Sequence, residues 1–307
     1  MLCLTLSIKG QYDYVMNQLP IAKRVQILSI LCEGVSLRSI SRMVDVSINT
    51  VTKLLVDAGQ ACMAFHDLNV VGVHSKRVQC DEIWSFTYAK QKNVAKAKTA
   101  PAMAGDTWTW TAIDADSMLI LSWLVGKRDA RHAQIVIDDL KNRLANRMQI
   151  TTDGLRVYAD AIENAFGADI DFAMLVKLYG EPSTDSPERK YSPSVCIGTK
   201  VHVMTGDPDG DHISTSYVER QNLTMRMHMR RFTRLTNGFS KKFENHVWMV
   251  ALYSVFYNFC KVHKTLRVTP AMEAGLMDRV LTFEDVVTII ETVAEKPGPH
   301  GPYKKRD

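Results

Sequence analysis

The chain has 307 residues, enough for one large domain or two unequal ones, since single cores stop growing at roughly 250–300 residues. Hydrophobic residues make up 46% and charged residues 23%, near the globular average, which excludes a collagen-like, coiled-coil or largely disordered chain. The formal charge of +5 leans toward polyanionic partners, and the 6 cysteines include no Cys-x-x-Cys pair, which argues against a zinc ribbon or disulfide framework and for a reducing cytoplasm. The apolar start Met1 to Ile8 has no preceding basic region, and Ser254 and Asn258 interrupt the run from Val247 to Cys260, so neither secretion nor a membrane span is expected.

After Pro20, the residues Ile21, Val25, Ile27, Leu28 and Leu31 recur at helical spacing until Glu33-Gly34. Ser36 reads as the N-cap of a second helix carrying Leu37, Ile40 and Val44. Ser47 reads as the cap of a third, through Val51, Leu54 and Leu55 to Gly59. With a tight turn near Asp45, this predicts a helix-turn-helix. Such a motif sets its third helix in the DNA major groove, which makes Asn49, Thr50 and Lys53 candidate base readers and Arg38 and Arg42 candidate phosphate contacts. A plain three-helix bundle with solvated charges is the alternative. Residues 1–62 are thus the expected all-α DNA-binding domain and 63–76 its linker.

From Arg77 the texture changes to alternation, with Val78, Cys80, Trp84 and Phe86 set against Gln79, Asp81 and Ser85, which predicts a strand. Trp108 to Ile113, a turn at Asp114-Ala115-Asp116-Ser117 and Met118 to Val125 predict a β-hairpin too apolar to have a wet face. Ala133, Val136, Ile137, Leu140 and Leu144 mark a helix, Met148 to Thr152 a short strand, and Leu155 to Phe166 another helix. This order predicts an α/β domain with a mixed sheet over 77–294. A Pro-, Ser-, Asp- and Gly-rich insertion is expected at about 180–212, and a disordered tail at 295–307.

Asp is depleted in strands, so Asp81 within one and Asp153 at the end of another need a reason, although an exposed edge and a turn are the bland ones. A third carboxylate, Glu219, falls on a helix predicted from Thr215 to Leu235. At about 100° per residue, Arg226 and Arg230 share its side, while Val218, Met225, Met229 and Phe232 lie opposite. From Arg220 to Lys242 basic residues occur without a single acid, as a phosphate-binding surface requires, so Arg220, Arg226, Arg230 and Arg231 are candidate DNA contacts; a solvated charged face is the alternative. Three carboxylates beside such a surface suit hard divalent cations, two of which can hold the attacking and leaving oxygens of a phosphoryl displacement. Asp207, Asp209 and Asp211 resemble the front of a calcium loop but lack its closing Glu.

These residues resemble the DDE transposases of bacterial insertion sequences, most closely the type named for insertion sequence one. The resemblance runs from about residue 20 to 275. It rests on Asp81-Glu82-Ile83-Trp84, on Thr152-Asp153-Gly154, and on Tyr217-Val218-Glu219-Arg220-Gln221-Asn222-Leu223 followed by Arg226 and Phe239-Ser240-Lys241. Tyr257-Asn258-Phe259, His263-Lys264-Thr265-Leu266 and Thr269-Pro270-Ala271 resemble the closing segment of such enzymes. It implies a ribonuclease-H-like core with Asp81 on the first strand, Asp153 after the fourth and Glu219 on a later helix, the three being catalytic and metal-binding. It further implies Mg²⁺, with Mn²⁺ as a substitute, and double-stranded DNA as partner, both the element's terminal repeats and target DNA, bound by at least a dimer. The chemistry implied is cleavage to a free 3′-hydroxyl and strand transfer. Two competing readings are a non-catalytic DNA-binding regulator derived from a transposase and a glycoside hydrolase; the latter also pairs carboxylates but needs no helix-turn-helix.

Overall fold

The computed structural model describes residues 18–180, 196–233 and 236–293. The expected tail at 295–307, the first 17 residues, Arg234 and residues 181–195 of the expected insertion lie outside the described residues.

Three helices open the described chain: α1 (Ile21–Leu31), α2 (Leu37–Val44) and α3 (Ile48–Asn69). Ser36 caps α2 by accepting from the Ser39 N–H at 3.1 Å, and Ser47 caps α3 by accepting from the Asn49 N–H at 3.2 Å. Between them Asp45 adopts a left-handed conformation (φ 53°), which makes the turn tight. Ile27, Leu28, Ile40, Val51 and Leu55 are wholly buried and form the core of this unit.

Gly59 does not end the third helix. α3 continues to Asn69, so residues 63–69 of the expected linker are its last turns. Gly59 is the point of closest approach to a later helix, α8 (Phe243–Val255), where a Cβ would lie 2.3 Å from the Trp248 Cβ. Sequence alone cannot separate a glycine that stops a helix from one that lets two helices touch. Gly59→Ala gains about 1 kcal/mol of helix propensity but forces the crossing apart, so a net loss of about 2 kcal/mol is expected. A urea midpoint equal to or above wild type would show that the two helices separate without cost.

The sheet follows. β1 (Arg77–Thr87) is followed by the short helix α4 (Gln91–Val94), then β2 (Gly105–Asp114) and β3 (Ile120–Gly126). Next come α5 (Ala130–Arg143), β4 (Gln149–Thr152), α6 (Val157–Phe166), β5 (Asp171–Tyr179) and β6 (Cys196–Thr205). The strand order is β3-β2-β1-β4-β5-β6. β1, β4 and β5 are parallel, while β2, β3 and β6 run against their neighbours. This is a mixed α/β sheet, as the order of elements in the sequence predicts. Part of the expected insertion is therefore regular structure, because β6 pairs along β5 as the edge strand. Asp209 there caps a single 3₁₀ turn and pairs with His212 at 2.6 Å.

Helices cover both faces. On β2, Trp110 packs edge-on against Tyr158 of α6 at 5.4 Å, whereas its neighbour Thr111 reaches Met225 of α7 (Ser216–His228). The chain closes with α8, a π-turn at Phe256–Cys260, α9 (Pro270–Glu273) and α10 (Phe283–Val293). No helix among the described residues is long and apolar enough to cross a membrane.

The helix expected over Thr215–Leu235 ends early. After His228, Met229 is extended (φ −123°, ψ 110°) and Arg230–Phe232 form a 3₁₀ turn. The cause is tertiary: the His228 carbonyl accepts from the Gly34 N–H at 2.9 Å, and His228 Nδ1 lies 2.7 Å from the Cys32 carbonyl, which docks the first helical unit on the end of α7. Met225, Met229 and Phe232 are still buried, as expected, because the turn returns Phe232 to the core. Arg230 consequently does not share a helical face with Glu219.

Candidate metal centre

β1 and β4 run parallel, and their last paired residues are Cys80 and Thr152. Asp81 and Asp153 are the next residues on each chain, so both emerge where β4 stops and the sheet opens. Ligands of α/β sheets sit at such carboxyl ends. Asp153 Oδ1 accepts from the Leu155 N–H at 2.9 Å, which turns the chain toward α6. Asp81 Oδ1 accepts from the Glu82 N–H at 2.8 Å.

Glu82 is the nearest substitute for the three carboxylates in the sequence, but alternation along β1 points it to the face opposite Asp81. The structure corrects this expectation. Carboxylate oxygens of Asp81, Glu82 and Asp153 all lie within 4.8 Å of one another. Beyond the end of β4 no strand separates the two faces, so side chains from both converge on Asp153. Glu82 is fixed there by Arg128 and by the Tyr158 hydroxyl, which donates to it at 3.1 Å. Arg128 also lies 3.7 Å from Asp153 and stacks over the Trp108 ring at 4.7 Å.

α7 is aligned to this point by Gln79 of β1, whose buried Oε1 accepts from the backbone N–H groups of Tyr217 and Val218 at 2.9 and 3.1 Å. These are unpaired helix-start donors that need such an acceptor. Asn222, one turn after Glu219, then donates to Asp81 Oδ2 at 2.8 Å. Glu219 itself accepts from the Thr215 hydroxyl at 2.6 Å and forms an ion pair with Lys177 of β5. It stands outside the group of Asp81, Glu82 and Asp153.

The electrostatics are those of crowded acids. Burial, then the charges of Glu82, Asp153 and Glu219, push the Asp81 carboxyl up to about 7, against the Glu82 N–H that favours its charged form. Burial and Asp153 also raise Glu82, although Arg128 and Tyr158 oppose them. Lys177 loses from burial, but Glu219 outweighs this and raises it.

The donor set suits a divalent cation. All candidate ligands are hard oxygens, the carboxylates repel one another when bare, and Asn222 Oδ1 is buried with no hydrogen-bond partner. An ion with its waters would answer both the repulsion and the orphan oxygen.

Arg38, Arg42, Asn49, Lys53 and Arg220 are exposed, and Thr50 is half-buried. Lys53 pairs with Asp57 one turn on, at 2.6 Å. Arg226 and Arg230 are half-buried. Arg231 is not an open surface charge: its Nε donates to Ser240 at 2.7 Å. Arg128, Tyr158, Lys177, Gln79 and Asn222 carry no signal in periodicity or charge pattern. Only Asn222 could have been singled out, through its place in Glu219-Arg220-Gln221-Asn222.

No protein-family model and no curated protein matches the chain. Among solved structures it is similar to a piggyBac transposase synaptic complex with hairpin DNA, at 8% identity and a TM-score of 0.32, covering 71% of this chain and 52% of that one. It is also similar to a Mos1 transposase paired-end complex with the left transposon end, at 13% identity and a TM-score of 0.20, covering 48% of this chain and 57% of that one. A pre-cleavage Mos1 transpososome gives 11% identity and a TM-score of 0.20, with 50% and 59% covered. Likenesses this distant decide nothing about activity, which has to be argued from the site.

Proposed function

We propose that the chain is a DNA transposase of the DDE type, which binds the ends of an insertion sequence and carries out metal-dependent strand cleavage and strand transfer. The observation that carries this reading is the convergence of the Asp81, Glu82 and Asp153 carboxylates at the open carboxyl end of β4, facing a helix that presents Glu219 and Asn222. Asp81, Asp153 and Glu219 would hold Mg²⁺, or Mn²⁺ in its place. When bound, the ion supplies Lewis-acid stabilisation of the phosphate and a lowered pKa for the attacking water or hydroxyl.

The chain's own residues do the rest. Asn222 holds Asp81 in one rotamer through its amide N–H. Arg128 and Tyr158 hold Glu82, which leaves its charge as part of the negative field rather than as a free ligand. Lys177 neutralises Glu219 until a stronger cation competes for it. Arg38 and Arg42 serve as phosphate contacts, Asn49, Thr50 and Lys53 as base readers, and Arg220, Arg226 and Arg230 as contacts along the strand entering the site. At least two copies act together on paired ends.

The test has a readout besides activity. An ion that binds only the folded chain adds about 1.4 kcal/mol of stability at ten times its dissociation constant. Mg²⁺ or Mn²⁺ should therefore raise the unfolding midpoint of the full chain, and Asp81→Asn should abolish the shift, while nicking of plasmid DNA requires the same ions. An equal shift in wild type and Asp81→Asn places the ion elsewhere. A metal shift without nicking would favour a DNA-binding regulator.

A further inference from the structure

Among the described residues, β1 has no strand beside it on one edge between the last β4 pair, Cys80 with Thr152, and a bridge from Thr87 to Ser240. The carboxylates occupy the start of this open edge. Its far end carries a cavity of about 380 Å³ lined by Trp84, Phe86, Phe232, Lys90 and Arg231. At about 3.3 Å per residue, Trp84 lies roughly 10 Å along β1 from Asp81.

The lining has an unusual combination of groups. Trp84 and Phe86 are half-buried, with ring centroids 5.9 Å apart. Lys90 and Arg231 bring two positive charges, and no acid lines the cavity. Arg231 has no carboxylate partner among the described residues. Its Nε–H goes to Ser240, whose hydroxyl lies 3.2 Å from His246 Nδ1. His246 Nε2 lies 3.4 Å from Ser85, which donates to the Thr107 carbonyl at 3.0 Å. With Arg231 and Thr107 fixed as donor and acceptor, every proton in this chain has one direction, and the guanidinium is anchored to the sheet. Burial lowers the Arg231 pKa to about 10, which leaves it charged at neutral pH and in need of an anion.

We propose that this cavity receives one unstacked nucleotide of the DNA strand held at the carboxylates, its base against Trp84 and Phe86 and its phosphate on Lys90 and Arg231. The proposal rests on the DNA-processing reading of the neighbouring site. Aromatic faces take any base by stacking, and the paired cations take the phosphate. The volume is at the low end for ligand pockets, enough for one nucleotide and far too small for a duplex. An apolar peptide side chain would fill the aromatic part and leave Arg231 without an anion.

The experiment uses the full chain without metal and two labelled probes of equal charge, octathymidylate and an eight-unit abasic strand. Wild type should prefer octathymidylate by about tenfold or more, as stacking of a base provides. Trp84→Ala should remove the preference, and Trp84→Phe, which keeps a π face, should retain most of it. Lys90→Ala, at an exposed position that the fold does not need, should weaken both probes and make the log–log salt dependence shallower by about 0.7. Equal binding of the two probes by wild type overturns the proposal, as does a Lys90→Ala chain with unchanged affinity and slope. So does a Trp84→Ala chain that unfolds normally and still prefers the base. Wild-type nicking in Mg²⁺ is measured alongside. Nicking without base preference removes the pocket alone, whereas base preference without nicking removes the transposase reading and leaves the pocket.

Discussion

Asp81→Ala and Asp153→Ala should each lower Mg²⁺-dependent nicking by more than about a hundredfold while leaving DNA binding nearly intact. Changes to groups around a metal's ligands already cost tenfold to a hundredfold, and these substitutions remove proposed ligands themselves. Binding should persist because a carboxylate repels phosphate, so its removal takes away no attraction and relieves repulsion. Glu219→Ala should behave in the same way, and it has a further consequence: Lys177 loses its partner and becomes a free cation at the edge of the site. Glu82→Gln separates the two possible acid sets. It keeps the hydrogen bond from Tyr158 and should retain measurable nicking, since Arg128 and Tyr158 already occupy that carboxylate. Gel shifts and nicking on the same DNA check all four. Wild-type nicking by any of the three alanine variants would take that residue out of the site, and a dead Glu82→Gln beside an active Glu219→Ala would exchange their roles.

Acid should weaken the fold through His246, which is wholly buried between Ser85, Ser240 and the Phe232 ring at 5.0 Å. Burial first, and the charge of Arg231 second, lower its pKa from 6.5 to about 3. A group with a depressed folded pKa contributes stability above its unfolded value and loses it as the pH falls. Below about 6.5 the unfolded chain gains a proton that the folded chain refuses, at about 1.4 kcal/mol per pH unit, so about 3 kcal/mol is lost between pH 7 and pH 4. His246→Gln loses packing and is less stable at neutral pH, but it has no such proton to take up. Urea unfolding at pH 7, 5 and 4 should show the gap between the two proteins narrowing by about that amount. Parallel curves would mean that His246 titrates equally in both states.

Local physics made much of this protein legible from its sequence. Ser36, Asp45 and Ser47 determine the first helices because capping and left-handed turns act within a few residues. The alternation of β1, the β2–β3 hairpin and the apolar spacing of α5 and α6 predict the α/β core for the same reason. Asp81 and Asp153 could be singled out because a carboxylate in or just after an apolar strand is costly without a role. The tertiary structure decided what depends on distant neighbours. Gly59 is a helix crossing rather than a helix end because Trp248 lies against it. α7 stops at His228 because Gly34 takes its carbonyl, which moves Arg230 off the face it was expected to share. Glu82 joins Asp81 because β4 ends one residue too soon to keep the faces apart, and Arg231 is anchored inward because Ser240 returns to the edge of β1. Each of these depends on where a second segment packs, and neither propensity nor periodicity carries that information.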